Sequence, residues 1–187
     1  MRVVSVNVGR AAPLAVGGRR FLSGIHKRAV DGPVALGPFG LAGDEQADLS
    51  VHGGLDKAVY AYPVEHHAFW TAARGGLFDA PLSCGAFGEN LSIEGLREHE
   101  VWIGDRLIGP GWVLRVTAPR EPCFKFNAVM GLPDAGRRMM EARCSGFYLA
   151  VDQAGPVQAG DRFALQPGPR GLRVDEAFAA KRLKHLR

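Results

Sequence analysis

Hydrophobic and polar residues alternate from the start of the chain. Val4, Val6 and Val8 fall on one face of a strand, with Val3, Ser5 and Asn7 on the other. Gly17-Gly18 makes a turn, and residues 21–30 read as a further strand or strand pair. Asp31-Gly32-Pro33 and Gly37-Pro38 break the chain again. A Gly53-Gly54 turn precedes Ala58-Val59-Tyr60-Ala61-Tyr62, an expected strand. Pro63 then suits the first turn of a helix that runs to about Arg74. Residues 101–117 predict a hairpin around Gly109-Pro110-Gly111. Short helices are expected over 124–130 and 137–143, and further strands over 147–151 and 162–165. The apolar positions 174, 177, 178, 180, 183 and 186 predict a modest amphipathic helix at the end.

Short strands, frequent turns and few helices favour a mainly-β closed sheet over alternating strand–helix units. One internal echo fits that reading. Val101-Trp-Ile-Gly-Asp-Arg-Leu107 matches Val157-Gln-Ala-Gly-Asp-Arg-Phe163, as two similar barrel turns would.

The chain has 187 residues, a length for one domain with room for an appendage. It can bury a real core without disulfides or a structural metal. Hydrophobic residues make up 47% and charged residues 22%, which sets aside disorder. No apolar run approaches the roughly 20 residues of a transmembrane helix, and the N-terminus lacks a signal-peptide pattern. The three cysteines, Cys84, Cys123 and Cys144, show no C-x-x-C spacing and no disulfide framework. A reducing cytoplasm is the expected compartment.

The formal net charge is +4. Residues 168–187 hold six Lys/Arg against Asp175 and Glu176. Residues 1–167 therefore keep 17 of the 23 basic and 17 of the 19 acidic residues, a net of zero. The excess is a basic tail, and the body is no polyanion-binding surface by bulk charge. Nucleic-acid binding is not expected, and no membrane contact is expected.

Three segments carry candidate chemistry. The first, residues 40–60, is crowded with polar residues where strands are expected. His52 before Gly53-Gly54 places an imidazole where backbone can approach a ligand closely. Lys57 follows, in a chain with 18 Arg and only 5 Lys. A solvated strand-edge charge is the plain alternative for it. The second segment is Gly85-Ala-Phe-Gly88-Glu89-Asn90-Leu91. Its carboxylate and carboxamide suit the edge of a heterocycle, or equally a turn that caps a strand.

The third segment runs from Thr117 to Asn127. Cys123 follows Pro122 at the expected start of a helix, between Arg120 and Lys125. Two cations and the positive end of a helix favour a thiolate. A thiolate serves a soft metal or a sulfur-transfer step. Cys84 and Cys144 have no such neighbours and read as small hydrophobes. His66-His67 point to different faces of one helix, so a metal pair is not expected. Trp70, Trp102 and Trp112 read as core anchors. Walker, G-x-G-x-x-G, G-x-S-x-G and H-E-x-x-H motifs are absent from the sequence.

Taken together, the segments resemble the MOSC family, named for the C-terminal domain of molybdenum cofactor sulfurases, and most closely its free-standing YiiM-type bacterial members. The matching strings are GLAGDEQADLSVHGGLDKAV at 40–59, GAFGENL at 85–91, VWIGDRL at 101–107, PREPCFKFN at 119–127 and SGFY at 145–148. They stand in family order over about residues 1–166.

The resemblance implies a closed β-barrel of the pyruvate-kinase-barrel type over 1–166. A short basic helical tail, 167–187, stands where such proteins usually carry three helices. It implies a molybdenum cofactor, with Cys123 as molybdenum ligand or as persulfide carrier. Lys57, Arg120 and Lys125 would meet phosphate or dithiolene charge, and His52, Asn90 and Asn127 polar edges. The implied activity is reduction of N-hydroxylated compounds such as hydroxylaminopurine. Electrons would come from a separate donor protein, since no flavin or haem motif is present. A cofactor carrier or sulfur-transfer module without reductase activity is the alternative. No pyridoxal phosphate site is expected in this chain, which is too short for the desulfurase half that uses it. A homodimer is compatible with the resemblance.

Overall fold

The computed structural model describes residues 1–48, 53–77 and 82–185, with the side chains of 182–185 outside the description. In chain order its strands are β1 (Arg2–Val8), β2 (Ala12–Val16), β3 (Arg19–Ser23), β4 (Arg28–Ala29), β5 (Val34–Gly37), β6 (Gly40–Leu41) and β7 (Val59–Pro63). There follow β8 (Leu91–Glu94), β9 (Arg106–Ile108), β10 (Val113–Pro119), β11 (Phe147–Gln153), β12 (Gly155–Val157) and β13 (Ala164–Gln166). The α-helices are α1 (His67–Arg74), α2 (Phe124–Met130), α3 (Ala135–Ala142) and α4 (Val174–His185).

The main sheet has the order β13-β9-β10-β11-β7-β8-β1-β4. All its pairs are antiparallel except β7 with β8. β12-β5-β6 and β2-β3 form two further sheets. The class is mainly β, as the sequence predicts, but the expected closed barrel is not formed. Among the described residues every sheet is open. One bridge joins Arg2 to Arg162, and Val3 N–H donates to Asp161 O at 2.9 Å. That contact does not grow into a ladder, because the chain leaves it at once to pair β13 with β9. At the other edge β4 is only two residues long.

The alternation expected along β1 also changes. Val3 and Val6 fall in the same buried cluster, because the register with β8 shifts between Val3 and Ser5, while Ser5 and Asn7 are buried through hydrogen bonds that reach Ser92. A bulge of this kind turns successive side chains to the same side. The echo between 101–107 and 157–163 is two like turns. Trp102 N–H donates to Asp105 Oδ2 at 2.9 Å and Gln158 N–H to Asp161 Oδ2 at 3.2 Å.

Apolar burial divides between two clusters. One contains Val6, Val59, Leu91, Leu114, Phe147 and Leu149. The other gathers Tyr60, Tyr62, Trp70, Phe87, Phe126 and Met139 with the helices. Alternation along β7 divides the strand, sending Val59 and Ala61 to the first cluster and Tyr60 and Tyr62 to the second. The described part of the basic tail is packed down. Val174 and Phe178 of α4 are buried, and Asp175 accepts from Arg173 at 3.0 Å. Lys181 pairs with Glu121. Among the described residues no helix is long and apolar enough to cross a membrane.

Candidate functional site

A cleft opens on the tyrosine face of the main sheet. Its empty volume is about 650 Å³, open solvent at the mouth included. Register places its floor: Tyr148 of β11 lies opposite Tyr60 of β7, and Asn90 N–H donates to Tyr60 O at 2.8 Å. Five residues singled out from three separate sequence segments, Lys57, Asn90, Arg120, Cys123 and Lys125, line it together. Asn127 is not among the lining residues. Its Nδ2 donates to Pro133 O at 2.8 Å and its Oδ1 accepts from Gly136 N–H at 2.8 Å, tying α2 to α3. His52 lies outside the described residues.

Arg120 follows the end of β10 and is only 4% exposed. Its guanidinium carbon sits 4.8 Å from the ring centre of Phe126 and 5.8 Å from that of Tyr60. Nη1 is 3.8 Å from Met139 Sδ. Among the described residues no carboxylate comes within ion-pair distance of it. Removing a charge from water costs several kcal/mol, and stacking on rings returns about 0.5–2 kcal/mol. The balance favours an anion beside this guanidinium.

Cys123 is half-buried and caps α2, which spans the residues expected from the sequence. Its extended backbone, φ −116° and ψ 171°, is that of a residue before a helix. Lys57 Nζ sits 5.6 Å from the ring centre of Tyr148. Lys125 Nζ donates to Leu22 O at 2.7 Å, which anchors it at the rim. Burial pushes the Tyr148 phenol up to about 12, against Arg120, which lowers it. Tyr148 is therefore a neutral donor at ordinary pH. Burial also pushes the Cys144 thiol up to about 12, in keeping with a packing role.

The second wall holds residues to which sequence reasoning gave no role. Lys27 Nζ is paired with Asp44 Oδ1, with side-chain exposures of 6% and 5%. Asp44 also accepts from Gly9 N–H at 2.9 Å and from Asn90 Nδ2 at 2.8 Å. Asn90 is committed at its other end, where Oδ1 accepts from Tyr60 N–H at 3.1 Å. Gln46 accepts from Gly54 N–H at 3.0 Å and donates to Lys57 O at 3.3 Å, holding the loop before Lys57. One signal was available: Lys27 is as rare a residue in this chain as Lys57. Glu89 settles toward the structural alternative. Fully buried, it accepts from Gly85 N–H at 2.7 Å, Phe87 N–H at 3.0 Å and Ser92 Oγ at 2.7 Å, and it closes the turn. Burial raises its carboxyl above the ordinary range, against those hydrogen bonds.

The sequence profile of the MOSC domain matches residues 48–164. This chain belongs to the MOSC domain family. It is 38% identical over 176 residues to the uncharacterized protein YflK of Bacillus subtilis, covering 94% of this chain and 78% of that one. It is 38% identical over 160 residues to the protein YiiM of Escherichia coli, covering 84% and 70%. A Gibberella moniliformis protein named Reductase is 35% identical over 171 residues, which span 89% of this chain and 29% of that one. The crystal structure of YiiM from Geobacillus stearothermophilus superposes with a TM-score of 0.76 at 31% identity, covering 96% of this chain and 83% of that one. These likenesses support a YiiM-type MOSC protein. Within the MOSC match fall Lys57, Tyr60, Asn90, Arg120, Cys123 and Tyr148, while Lys27 and Asp44 reach the cleft from outside it.

Proposed function

We propose that this chain is a molybdenum-cofactor-dependent oxidoreductase that reduces N-hydroxylated compounds, hydroxylaminopurine-like base analogues among them. The observation that carries this reading is the shared cleft of Cys123, Arg120, Lys57 and Lys125. A buried guanidinium without a carboxylate suits the phosphate of a pterin cofactor. A soft sulfur ligand suits molybdenum. The donor set present therefore fits the group. Its likeness to a protein named Reductase points the same way.

When bound, the cofactor supplies a two-electron redox centre. Cys123 would hold it through sulfur, and Arg120, Lys57 and Lys125 would balance its negative charge. Asn90 and Asp44 are positioning residues, since their polar atoms already hold Tyr60, Lys27 and Gly9 in place. Tyr148 presents a neutral O–H to the cleft, suited to donating to the hydroxylamine oxygen. In the overall reaction the N–O bond breaks and an N–H bond forms. Two electrons from a separate donor protein and two protons convert R–NH–OH into R–NH2 and water.

The test is turnover. Protein made in a host that synthesises molybdopterin is supplied with hydroxylaminopurine and reduced methyl viologen. Wild type is expected to form adenine, and Cys123→Ser to lose at least about 100-fold in rate, the upper end of what loss of an outer-shell partner costs. Bound molybdenum without adenine formation would favour the cofactor-carrier alternative instead.

A further inference from the structure

The zero net charge of residues 1–167 conceals a local excess. From Met1 to Val30 the chain has six cations, Arg2, Arg10, Arg19, Arg20, Lys27 and Arg28, and no acid. Arg2 pairs with Glu94 and Lys27 with Asp44. Arg10, Arg19, Arg20 and Arg28 are exposed, with no carboxylate in ion-pair distance among the described residues. By contrast Arg106, Arg115, Arg137, Arg138 and Arg173 are all paired. Besides Glu94 and Asp44, Glu45 is joined to this region, accepting from Ala11 N–H at 2.9 Å.

Two of these cations, Arg19 and Arg20, lie on β3 of the two-stranded β2–β3 sheet, with Arg10 just before β2 and Arg28 on β4. Its second strand ends at Ser23, which with Gly24 forms part of the cleft wall. Apolar surface gathers at the same rim. Leu22 is 55% exposed, and Phe124, 50% exposed, sits beside Phe21 with ring centres 4.9 Å apart. Phe124 directly follows Cys123. Gln46, in the segment packed against Gly24, holds Phe39 O at 3.3 Å, and Phe39 is 72% exposed. Exposed aromatic residues interleaved with arginines are the composition of a recognition surface.

We infer that the β2–β3 hairpin with Leu22 and Phe124 is the docking surface for an acidic electron-donor protein. The inference rests on the reductase reading, which requires electrons delivered close to Cys123. Electron-transfer encounters are small and transient. Unpaired exposed charge steers such encounters, speeding association more than it deepens affinity. The apolar residues at the rim favour a protein over a nucleic acid as the occupant.

The probe is an acidic flavodoxin-type flavoprotein, tested against the full-length, cofactor-loaded protein for both binding and electron delivery. Binding is expected to weaken about tenfold between roughly 20 and 300 mM salt. R19Q/R20Q is expected to weaken it about fivefold at low salt. The control R97Q/R162Q changes two exposed arginines outside the hairpin, Arg162 bridging Arg2 at the start of β1, and is expected to leave it unchanged. Flavoprotein-driven turnover is expected to fall in R19Q/R20Q while methyl-viologen-driven turnover holds. Salt-independent or absent binding would overturn the proposal, as would equal losses in the two double variants. Displacement of the flavoprotein by a single-stranded oligonucleotide that binds more tightly would reassign the surface to nucleic acid. Absence of methyl-viologen turnover in wild type would refute the reductase reading separately, with the binding measurements still deciding the surface.

Discussion

The guanidinium of Arg120 lies over the ring of Phe126, 4.8 Å from its centre, in a place that leaves Arg120 only 4% exposed. A cation is thus held at the cleft by rings and a thioether, with no described carboxylate against it. Its retention makes sense as an anion site. Inorganic phosphate or pyrophosphate is expected to stabilise the wild type by about 1 kcal/mol at a concentration fivefold above its Kd. Arg120→Met is expected to lose that response while keeping its unliganded stability within about 1 kcal/mol, since an apolar isostere avoids the desolvation cost. Thermal melts with and without phosphate check both parts. A phosphate response that survives in the variant would remove Arg120 from the anion site.

Lys27 and Asp44 form a buried pair in the opposite wall. Breaking such a pair from one side leaves an uncompensated charge and costs about 3–5 kcal/mol. Lys27→Met and Asp44→Asn are each expected to be strongly destabilising. The double variant is expected to cost much less than their sum. Urea denaturation of the four proteins measures the coupling, and simple additivity would show that the pair is not energetically linked.

Glu89 gives a pH signature. Burial raises its native carboxyl above the unfolded value of about 4.3, so the native state keeps the proton to higher pH. Its contribution is fully present below the unfolded value and is lost as pH rises through the raised one. Glu89→Gln has no such titration, so the stability advantage of wild type over it is expected to shrink across that rise. Above it, the Gln variant still loses acceptor capacity toward Gly85, Phe87 and Ser92, at about 1–3 kcal/mol. Denaturant midpoints from pH 4 upward test this, and a gap that widens with pH would reverse the assignment.

Gly146 stands where no side chain fits. Its φ is +64°, and a Cβ there would come within 2.4 Å of Ala61 O and 2.7 Å of the Tyr60 ring. Its N–H donates to the buried Glu98 at 2.6 Å, and its carbonyl accepts from Arg120 N–H at 3.4 Å. Gly146→Ala is expected to cost at least about 2 kcal/mol through strain and displaced rings. The measurement is a urea midpoint, and a loss below 0.5 kcal/mol would mean that the turn tolerates αL alanine.

The elements were more legible than their closure. Residues 124–130 form α2 at the expected positions because Phe126 and Met130 both face the core. Closure of a sheet depends on which edges meet, and no local pattern in Ala164–Gln166 reveals that β13 turns to β9. The cleft was partly legible. Cys123, Arg120 and Lys57 stand out by residue type and neighbours. Asp44 does not, because its significance lies in Lys27, 17 residues away, and in Asn90, 46 residues away. Asn127 stands out by position in its segment, yet α2 carries it to Pro133 and Gly136. The charge count misled for a similar reason. A sum over 167 residues averaged away the acid-free hairpin region that sits on the cleft rim.

The central claim is that Cys123 ligates molybdenum in this cleft. Elemental analysis of protein purified from a molybdopterin-producing host tests it most directly. Close to one molybdenum per wild-type chain is expected, and at least about tenfold less in a folded Cys123→Ser protein. Molybdenum absent from the wild type, or equal loading in the two proteins, would contradict it.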